Sequence, residues 1–307
     1  MEIMVQFLLL AVGFLMLVKG ADWFVDGASG IAEKFGISQL IIGLTIVAMG
    51  TSAPEAAVSI TAALKGTADI TVGNIIGSNI LNILLILGCC AVIVPIVVKT
   101  STIRYEIPFM IEVTILLLIL GIDGVISCID GMILWGVFLL YLIYLLYMSR
   151  NGQTEDNIKK NQPWWNLILL LCMGLIMIIM GSGIAVDAAT AIAEIVGLSE
   201  KFIGLTIVAL GTSLPELFTS VSAARKGNAD IAIGNIIGSN IFNILFVIGT
   251  SSLVTPILFR ESFQFDIFVA IAAAVLLLIS CLKKYKIGRM AGIIMLVSYA
   301  VYFVYLC

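Results

Sequence analysis

Histidine is absent from the 307 residues, which removes HExxH metal chemistry, imidazole proton relays and Ser-His catalysis together. Charge is scarce: 11% of residues are Asp, Glu, Lys or Arg, against about 25% in soluble domains. The six cysteines, Cys89, Cys90, Cys128, Cys172, Cys281 and Cys307, show no CxxC spacing, so neither a disulfide framework nor a zinc site is indicated. With a net charge of −3 and no long basic run, nothing points to nucleic acid. Met1-Glu2-Ile3 lacks the basic flank of a signal peptide, and the apolar run after it continues too far for one. It reads as a retained first span. Polar sequence is rare too, and one segment alone, from Ser149 to Pro163, reads as a loop of any size.

What remains is hydrophobic. The 61% share of apolar residues indicates an all-α polytopic membrane protein, and at roughly 20 residues per span the chain has room for about ten helices and no extramembrane domain. Apolar runs predict helices near 4–32, 38–64 (interrupted at Pro54), 69–95, 106–121 and 125–148, and then the pattern restarts. Aligning Gly43 with Gly204 gives an offset of 161 residues. Over 43–88 against 204–249 about two-thirds of positions are identical, far above what shared apolar composition gives. The same register pairs Asp26 with Asp187, Glu33 with Glu194, Ser38 with Ser199, Pro95 with Pro256 and Gly131 with Gly292. The chain therefore divides into a five-helix repeat (1–148), a short linker (149–163) and a second repeat (164–307).

Five is odd, so the second repeat enters the membrane from the opposite side. With the N-terminus outside, one set of loops carries Lys34, Lys99, Arg104, Arg150, Lys159, Lys160, Arg225, Lys226, Lys283, Lys284, Lys286 and Arg289, and the other only Lys65, Lys201 and Arg260. The richer set belongs in the cytoplasm. Both termini are then extracellular, the linker is cytoplasmic, and the halves form an inverted repeat of the kind that places a site at the midplane between discontinuous helices.

Two duplicated motifs mark that site. Gly50-Thr51-Ser52-Ala53-Pro54-Glu55 recurs as Gly211-Thr212-Ser213-Leu214-Pro215-Glu216. Proline inside a helix removes a donor and breaks or kinks it, so predicted helices 2 and 7 are discontinuous. A carboxylate inside a span is costly and marks function by default. The break is expected to free carbonyls near Ala48 and Thr51, with Ala209 and Thr212 as their twins. Ser52, Ser213 and the carboxylates Glu55 and Glu216 complete a set of oxygen donors with no nitrogen or sulfur, which suits hard cations. Gly73-Asn74-Ile75-Ile76-Gly77-Ser78-Asn79-Ile80-Leu81-Asn82 recurs from Gly234 to Asn243. Ser78 and Asn82 share a helix face, as do Ser239 and Asn243, and all four are expected to face the carboxylates as neutral ligands or water holders. Two carboxylates are neutralised by one Ca²⁺ or by two Na⁺. Crossing with the doubly charged cage empty is unfavourable, which favours obligatory exchange.

With these residues the chain resembles the sodium/calcium exchanger family of the cation/Ca²⁺ antiporter superfamily, over both repeats and the linker. The resemblance implies Na⁺-driven Ca²⁺ antiport by alternating access, with three Na⁺ for one Ca²⁺, hence electrogenic. It implies a central Ca²⁺ site of Glu55, Glu216 and the Thr51 and Thr212 carbonyls, and flanking Na⁺ sites of Ala48, Ser52, Glu55 and Ser239 and of Ala209, Ser213, Glu216 and Ser78. Helices one and six would slide across the rest. Potassium-dependent members carry an acid at the position of Asn243, so the neutral Asn82 and Asn243 argue against K⁺ cotransport. The implied setting is the plasma membrane, with Na⁺, Ca²⁺ and the bilayer as partners and no cofactor or obligatory protein partner.

Blander roles compete. Serines in spans often bond back to their own helix, and Asn82 and Asn243 suit interhelical hydrogen bonds as well as ions. Asn79 and Asn240 are expected to be structural. Asp22, Asp26 and Asp187 are expected in interfacial or salt-bridge roles, Glu112 and Asp266 near helix ends, and Trp164, Trp165, Tyr141, Tyr144, Tyr147, Tyr302 and Tyr305 in an interfacial belt. Rival functions are a Ca²⁺/H⁺ or other divalent antiporter, a cation channel, and an intramembrane hydrolase. The inverted repeat argues against a channel. The lack of histidine and of a GxGD run argues against the hydrolase, so it is not expected to be an enzyme.

Overall fold

A computed structural model describes residues 2–66, 69–151, 163–197 and 209–306. Most of the predicted linker, and the first part of predicted helix seven with Lys201 and Gly204, lie outside them. The first half consists of α1 (Glu2–Phe35), α2 (Gln39–Thr51), α3 (Ala53–Leu64), α4 (69–93), β1 (Ile96–Val97), α5 (102–120), β2 (Val125–Ile126) and α6 (Cys128–Asn151). The second half has α7 (Trp164–Ile195), α8 (Ala209–Gly211), α9 (Leu214–Arg225), α10 (Ala229–Val254), β3 (Ile257–Leu258), α11 (Glu261–Leu282), β4 (Lys286–Ile287) and α12 (Arg289–Leu306). Among the described residues seven helices are long and apolar enough to cross a membrane, and eight when the bent pair α2–α3 counts as one span.

The 161-residue offset reappears in the punctuation. Gly36 and Gly197 follow the ends of α1 and α7 with φ of 67° and 87°, and Gly66 and Gly227 follow α3 and α9 with φ of 76° and 80°. Glycine adopts this left-handed conformation without the Cβ penalty and so ends helices. The strands obey the offset as well. β1 pairs antiparallel with β4, and β2 with β3, so each strand of one ribbon lies 161 residues from a strand of the other. α5 runs from the β1–β4 ribbon to the β2–β3 ribbon, whereas its twin α11 runs from the second ribbon to the first. The twin helices run in opposite directions.

Two layers position the centre. α10 is apolar nearly all round and is buried along all of Ile231–Phe242, as a helix of that pattern must be. α1 and α7 lie along each other on the outside. They have 34 and 32 residues, about 50 Å each at 1.5 Å per residue, and so outrun a hydrocarbon core of about 30 Å. Their approach depends on glycine: a Cβ at Gly13 would lie 2.8 Å from the Ala185 nitrogen, and one at Gly20 would lie 2.9 Å from the Gly174 carbonyl oxygen. Gly13 and Gly174 are twins in the repeat.

Two expectations are corrected. The helix break falls at Ser52, not Pro54, because proline is well tolerated in a first turn where its missing N–H has no partner to lose. Pro54 therefore opens α3 rather than ending α2. Glu112 lies mid-way along α5 with an exposed side chain, not near a helix end.

Candidate ion-binding site

The site grows from the two breaks. Ser52 leaves helical geometry with φ −82° and ψ 7°, and Ser213 does so with φ −94° and ψ 5°. The first break bends the chain by 50°. Just past each, in the first turn of α3 and of α9, stands a carboxylate: Glu55 is 1% exposed and Glu216 0%. A helix N-terminus is a favourable place for negative charge. Among the described residues, however, no Lys or Arg forms an ion pair with either acid.

Each half completes the other. Ser52 Oγ donates to Glu216 Oε1 at 2.8 Å, and Ser213 Oγ donates to Glu55 Oε1 at 3.1 Å. Ser213 Oγ also lies 3.4 Å from Ser78 Oγ, and Ser239 Oγ lies 3.4 Å from the Ala48 carbonyl oxygen. The four serines named from sequence thus gather at the two breaks, and they bond across the halves rather than back to their own helices.

The asparagines divide the work. Asn79 Nδ2 donates to the Asn240 carbonyl at 3.1 Å, and Asn240 Nδ2 to the Asn79 carbonyl at 3.2 Å. Asn82 Nδ2 donates to Asn240 Oδ1 at 3.0 Å and Asn243 Nδ2 to Asn79 Oδ1 at 3.2 Å. Asn79 and Asn240 therefore tie α4 to α10. Asn82 and Asn243 spend their amide groups on that tie and keep Oδ1 without a partner. Each opens a π-helical turn, 82–87 and 243–248, a local widening frequent at functional sites.

At and beside the two breaks, six buried oxygens have no partner among the described residues: Glu55 Oε2, Glu216 Oε2, Asn82 Oδ1, Asn243 Oδ1, Thr212 Oγ1 and Thr219 Oγ1. Native structures leave few such atoms, and each calls for an explanation. Here all six come from the broken helices α3 and α9 and the helices beside them, two carry formal charge, and none is nitrogen or sulfur. The set fits a hard cation as cargo. Among the described residues no three His, Cys, Asp or Glu side chains converge so as to hold a metal ion, so the charge at the breaks comes from the pair alone.

The break carbonyls differ from expectation. The Ala48 carbonyl keeps its helical partner, Ser52 N at 3.0 Å. Proline denies a partner to the residue four before it, which makes Gly50 and Gly211 the carbonyls affected. Ser182 Oγ of α7 takes the Gly211 carbonyl at 2.8 Å. At the second break Ser213 N bonds Leu210 O at 3.2 Å, turning away from Ala209. Thr51 Oγ1 lies 3.0 Å from Asn235 Oδ1 and 3.1 Å from the Val47 carbonyl.

Two supporting pairs escaped the sequence reading. Asn74 Nδ2 donates to Ser59 Oγ at 3.0 Å and Asn235 Nδ2 to Ser220 Oγ at 2.9 Å. Each serine sits four residues after a carboxylate, so these bonds fix the turns that aim Glu55 and Glu216. Their signal was available: both members are kept at the 161-residue offset. The expected salt-bridge role holds for Asp26 and Asp22, whose carboxylates meet Lys226 Nζ at 2.7 Å and 3.7 Å.

The family model for the sodium/calcium exchanger protein matches residues 5–147 and 166–307. The chain belongs to the sodium/calcium exchanger family. It is 33% identical over 346 residues to the sodium/calcium exchanger MaX1 of Methanosarcina acetivorans, covering 99% of both chains. It is 42% identical over 258 residues to the inner membrane protein YrbG of Escherichia coli, covering 81% of this chain and 79% of that one. Its fold matches the solved structure of the sodium-calcium exchanger NCX_Mj soaked with 10 mM Na⁺ and zero Ca²⁺, with a TM-score of 0.87 at 35% identity over 99% of this chain and 100% of that chain. Membership of this family makes it a membrane transporter of the antiporter class, not a catalyst of covalent chemistry.

Proposed function

We propose that this exchanger carries Na⁺ against Ca²⁺ by alternating access, with three Na⁺ for one Ca²⁺. The carrying observation is the reciprocal pair Ser52–Glu216 and Ser213–Glu55, which joins two buried carboxylates, paired with no Lys or Arg among the described residues, into one oxygen cage. Glu55, Glu216 and the oxygens of Thr51 and Thr212 hold Ca²⁺, and Ser52, Ser213, Ser78, Ser239, Ala48 and Ala209 complete the Na⁺ positions. Asn82 and Asn243 turn neutral oxygens toward the cage, and exchange is independent of K⁺. Ten spans in two inverted repeats, joined by the cytoplasmic linker, carry this site in the plasma membrane with both termini outside. The opposite directions of α5 and α11 support the inversion. The loop charges support the orientation. Three Na⁺ bound at two carboxylates leave about +1, worth about 2.3 kcal/mol per 100 mV.

The test is Ca²⁺ uptake into vesicles under an imposed Na⁺ gradient and, separately, an imposed pH gradient. Uptake is expected to follow Na⁺ and to accelerate when the vesicle interior is made positive, because each Ca²⁺ taken up against three Na⁺ sends one net positive charge out. Uptake that follows pH alone would replace this reading with Ca²⁺/H⁺ antiport, and uptake indifferent to membrane potential would refute the stoichiometry.

A further inference from the structure

Away from the cage, α5 and α6 enclose a second group of buried oxygens. Glu106 is 1% exposed, and Tyr144 OH donates to its Oε1 at 2.6 Å. Glu106 Oε2, Tyr141 OH and Thr102 Oγ1 are buried and have no partner among the described residues. Thr102 stands one turn before Glu106 on the same face. Beside them lies a groove of about 360 Å³, apolar along Phe109 and Leu140 and lined also by Arg104 and Glu112. That is far larger than an ion needs. Glu106 is one turn inside the start of α5, the end at which a membrane-spanning helix meets the headgroup region. We propose that the groove binds an aminophospholipid, its ammonium on the Glu106 carboxylate and the Tyr141 hydroxyl that line it, its phosphate on Arg104 and its acyl chain along Phe109 and Leu140. A primary ammonium has N–H donors for these acceptors, whereas a choline headgroup has none.

The full-length protein, purified from vesicles of equal phosphatidylethanolamine and phosphatidylcholine, tests this by native mass spectrometry of retained lipid. Several-fold enrichment of the ethanolamine lipid is expected, falling to parity in Glu106→Gln, while Arg104→Gln lowers retention of both lipids alike. No enrichment, or enrichment untouched by Glu106→Gln in a folded, monodisperse sample, would overturn it.

A second inference comes from a broken symmetry and rests on the alternating-access reading. α9 packs along α1, with Phe14 and Phe218 ring centroids 6.0 Å apart. At its end Lys226 Nζ meets Asp26 at 2.7 Å and the Asp22 carbonyl at 2.7 Å, while Ser222 Oγ donates to Asp22 at 2.6 Å. In the other half the twins of Lys226 and Asp26 are Lys65 and Asp187. Both are exposed, and among the described residues they form no ion pair. Lys226 also lies 3.7 Å from the Asp22 carboxylate, but of the contacts at the closed rim the Lys226–Asp26 pair is the one whose partners recur in sequence: the twins of Phe14, Phe218, Asp22 and Ser222 are Leu175, Ala57, Gly183 and Thr61. We infer that Lys226–Asp26 and Lys65–Asp187 are alternative latches, one closed in each of the two access states.

Spin-label distances across twin pairs, 19/225 at the closed rim and 64/180 at the open one, read the two states. Asp26→Asn should shift the population toward opening at 19/225, and Asp187→Asn should shift it the other way. Each shift should be about 1.4- to 5-fold, the range for exposed ion pairs. Asp26→Lys combined with Lys226→Asp should restore the balance. Two resolved states in the wild type with no response to either substitution would overturn the latches alone. A single state under Na⁺, Ca²⁺ and ion-free conditions would refute alternating access, and the latches with it.

Discussion

Replacing Glu216 by Gln isolates the charge of the cage from its shape. Glutamine keeps the volume, and its Oε1 still accepts from Ser52, whose hydroxyl donates at 2.8 Å in the native chain. What disappears is one of two unit charges at a position 0% exposed, with no Lys or Arg paired to it among the described residues. At an effective dielectric of about 20 a unit charge about 4 Å away contributes about 4 kcal/mol, so a divalent ion loses about 8. If relaxation and the amide oxygen offset half, about 4 kcal/mol remains, close to three decades in affinity. A monovalent ion loses half as much, so Ca²⁺ should suffer more than Na⁺. Calorimetric titration of purified Glu216→Gln with each ion measures this, beside vesicle uptake, which should be abolished. Ca²⁺ affinity within tenfold of wild type would refute the two-carboxylate cage.

Glu55→Gln should behave as its mirror image in both assays, because Ser213 plays for Glu55 the part that Ser52 plays for Glu216. Asn79→Ala removes the Nδ2 donor to Asn240 and the Oδ1 acceptor of Asn243. Each buried group left alone costs about 1–3 kcal/mol, so a lower melting temperature in detergent is expected, with ion affinity changed less than in Asn82→Ala. Gly27→Val would place Cβ 2.6 Å from the Leu171 nitrogen, so α1 and α7 must part. The expected cost of about 1–3 kcal/mol would appear as a lower melting temperature, and Gly136→Val, with open space around it, serves as the control. Replacing K⁺ by choline on both sides of the vesicle should leave exchange unchanged.

What could be read from the sequence was whatever the chain states twice. The broken helices, the paired acids and the facing Ser and Asn residues all recur at one offset, and a site made from two copies of one motif needs no knowledge of the fold to be suspected. What could not be read is which copy touches which. Spacing shows that Ser78 and Asn82 share a face, but it says nothing of Ser52 reaching Glu216 rather than Glu55, because that contact depends on how α2 and α9 meet. The break was placed two residues late because proline was read as the end of a helix, whereas its ring suits a beginning. Glu106 went unnoticed for the opposite reason: its twin is Ile267, so duplication gave no signal, and its partner Tyr144 lies 38 residues away.

The same contrast bears on how the molecule works. At the centre the acids and asparagines obey the symmetry of the halves: both serines reach across to the opposite acid, and the four asparagines close on each other in matched pairs. At the rim the symmetry is broken, since α9 lies against α1 and holds it through Lys226 while Lys65 and Asp187 stand apart. The ion-pair residues Lys226 and Asp26 are kept in the other half as Lys65 and Asp187, whereas their neighbours Phe14, Phe218, Asp22 and Ser222 are not. On the latch reading the kept pair lets either rim close around one shared centre, and the neighbours bias which one does. A fixed centre suits a cage whose ligands come equally from both halves, because swapping the rims changes which side is sealed without dismantling the ligands. The Asn79–Asn240 tie would hold that centre, and the Gly13–Ala185 and Gly20–Gly174 approaches would keep α1 and α7 moving as one body past it.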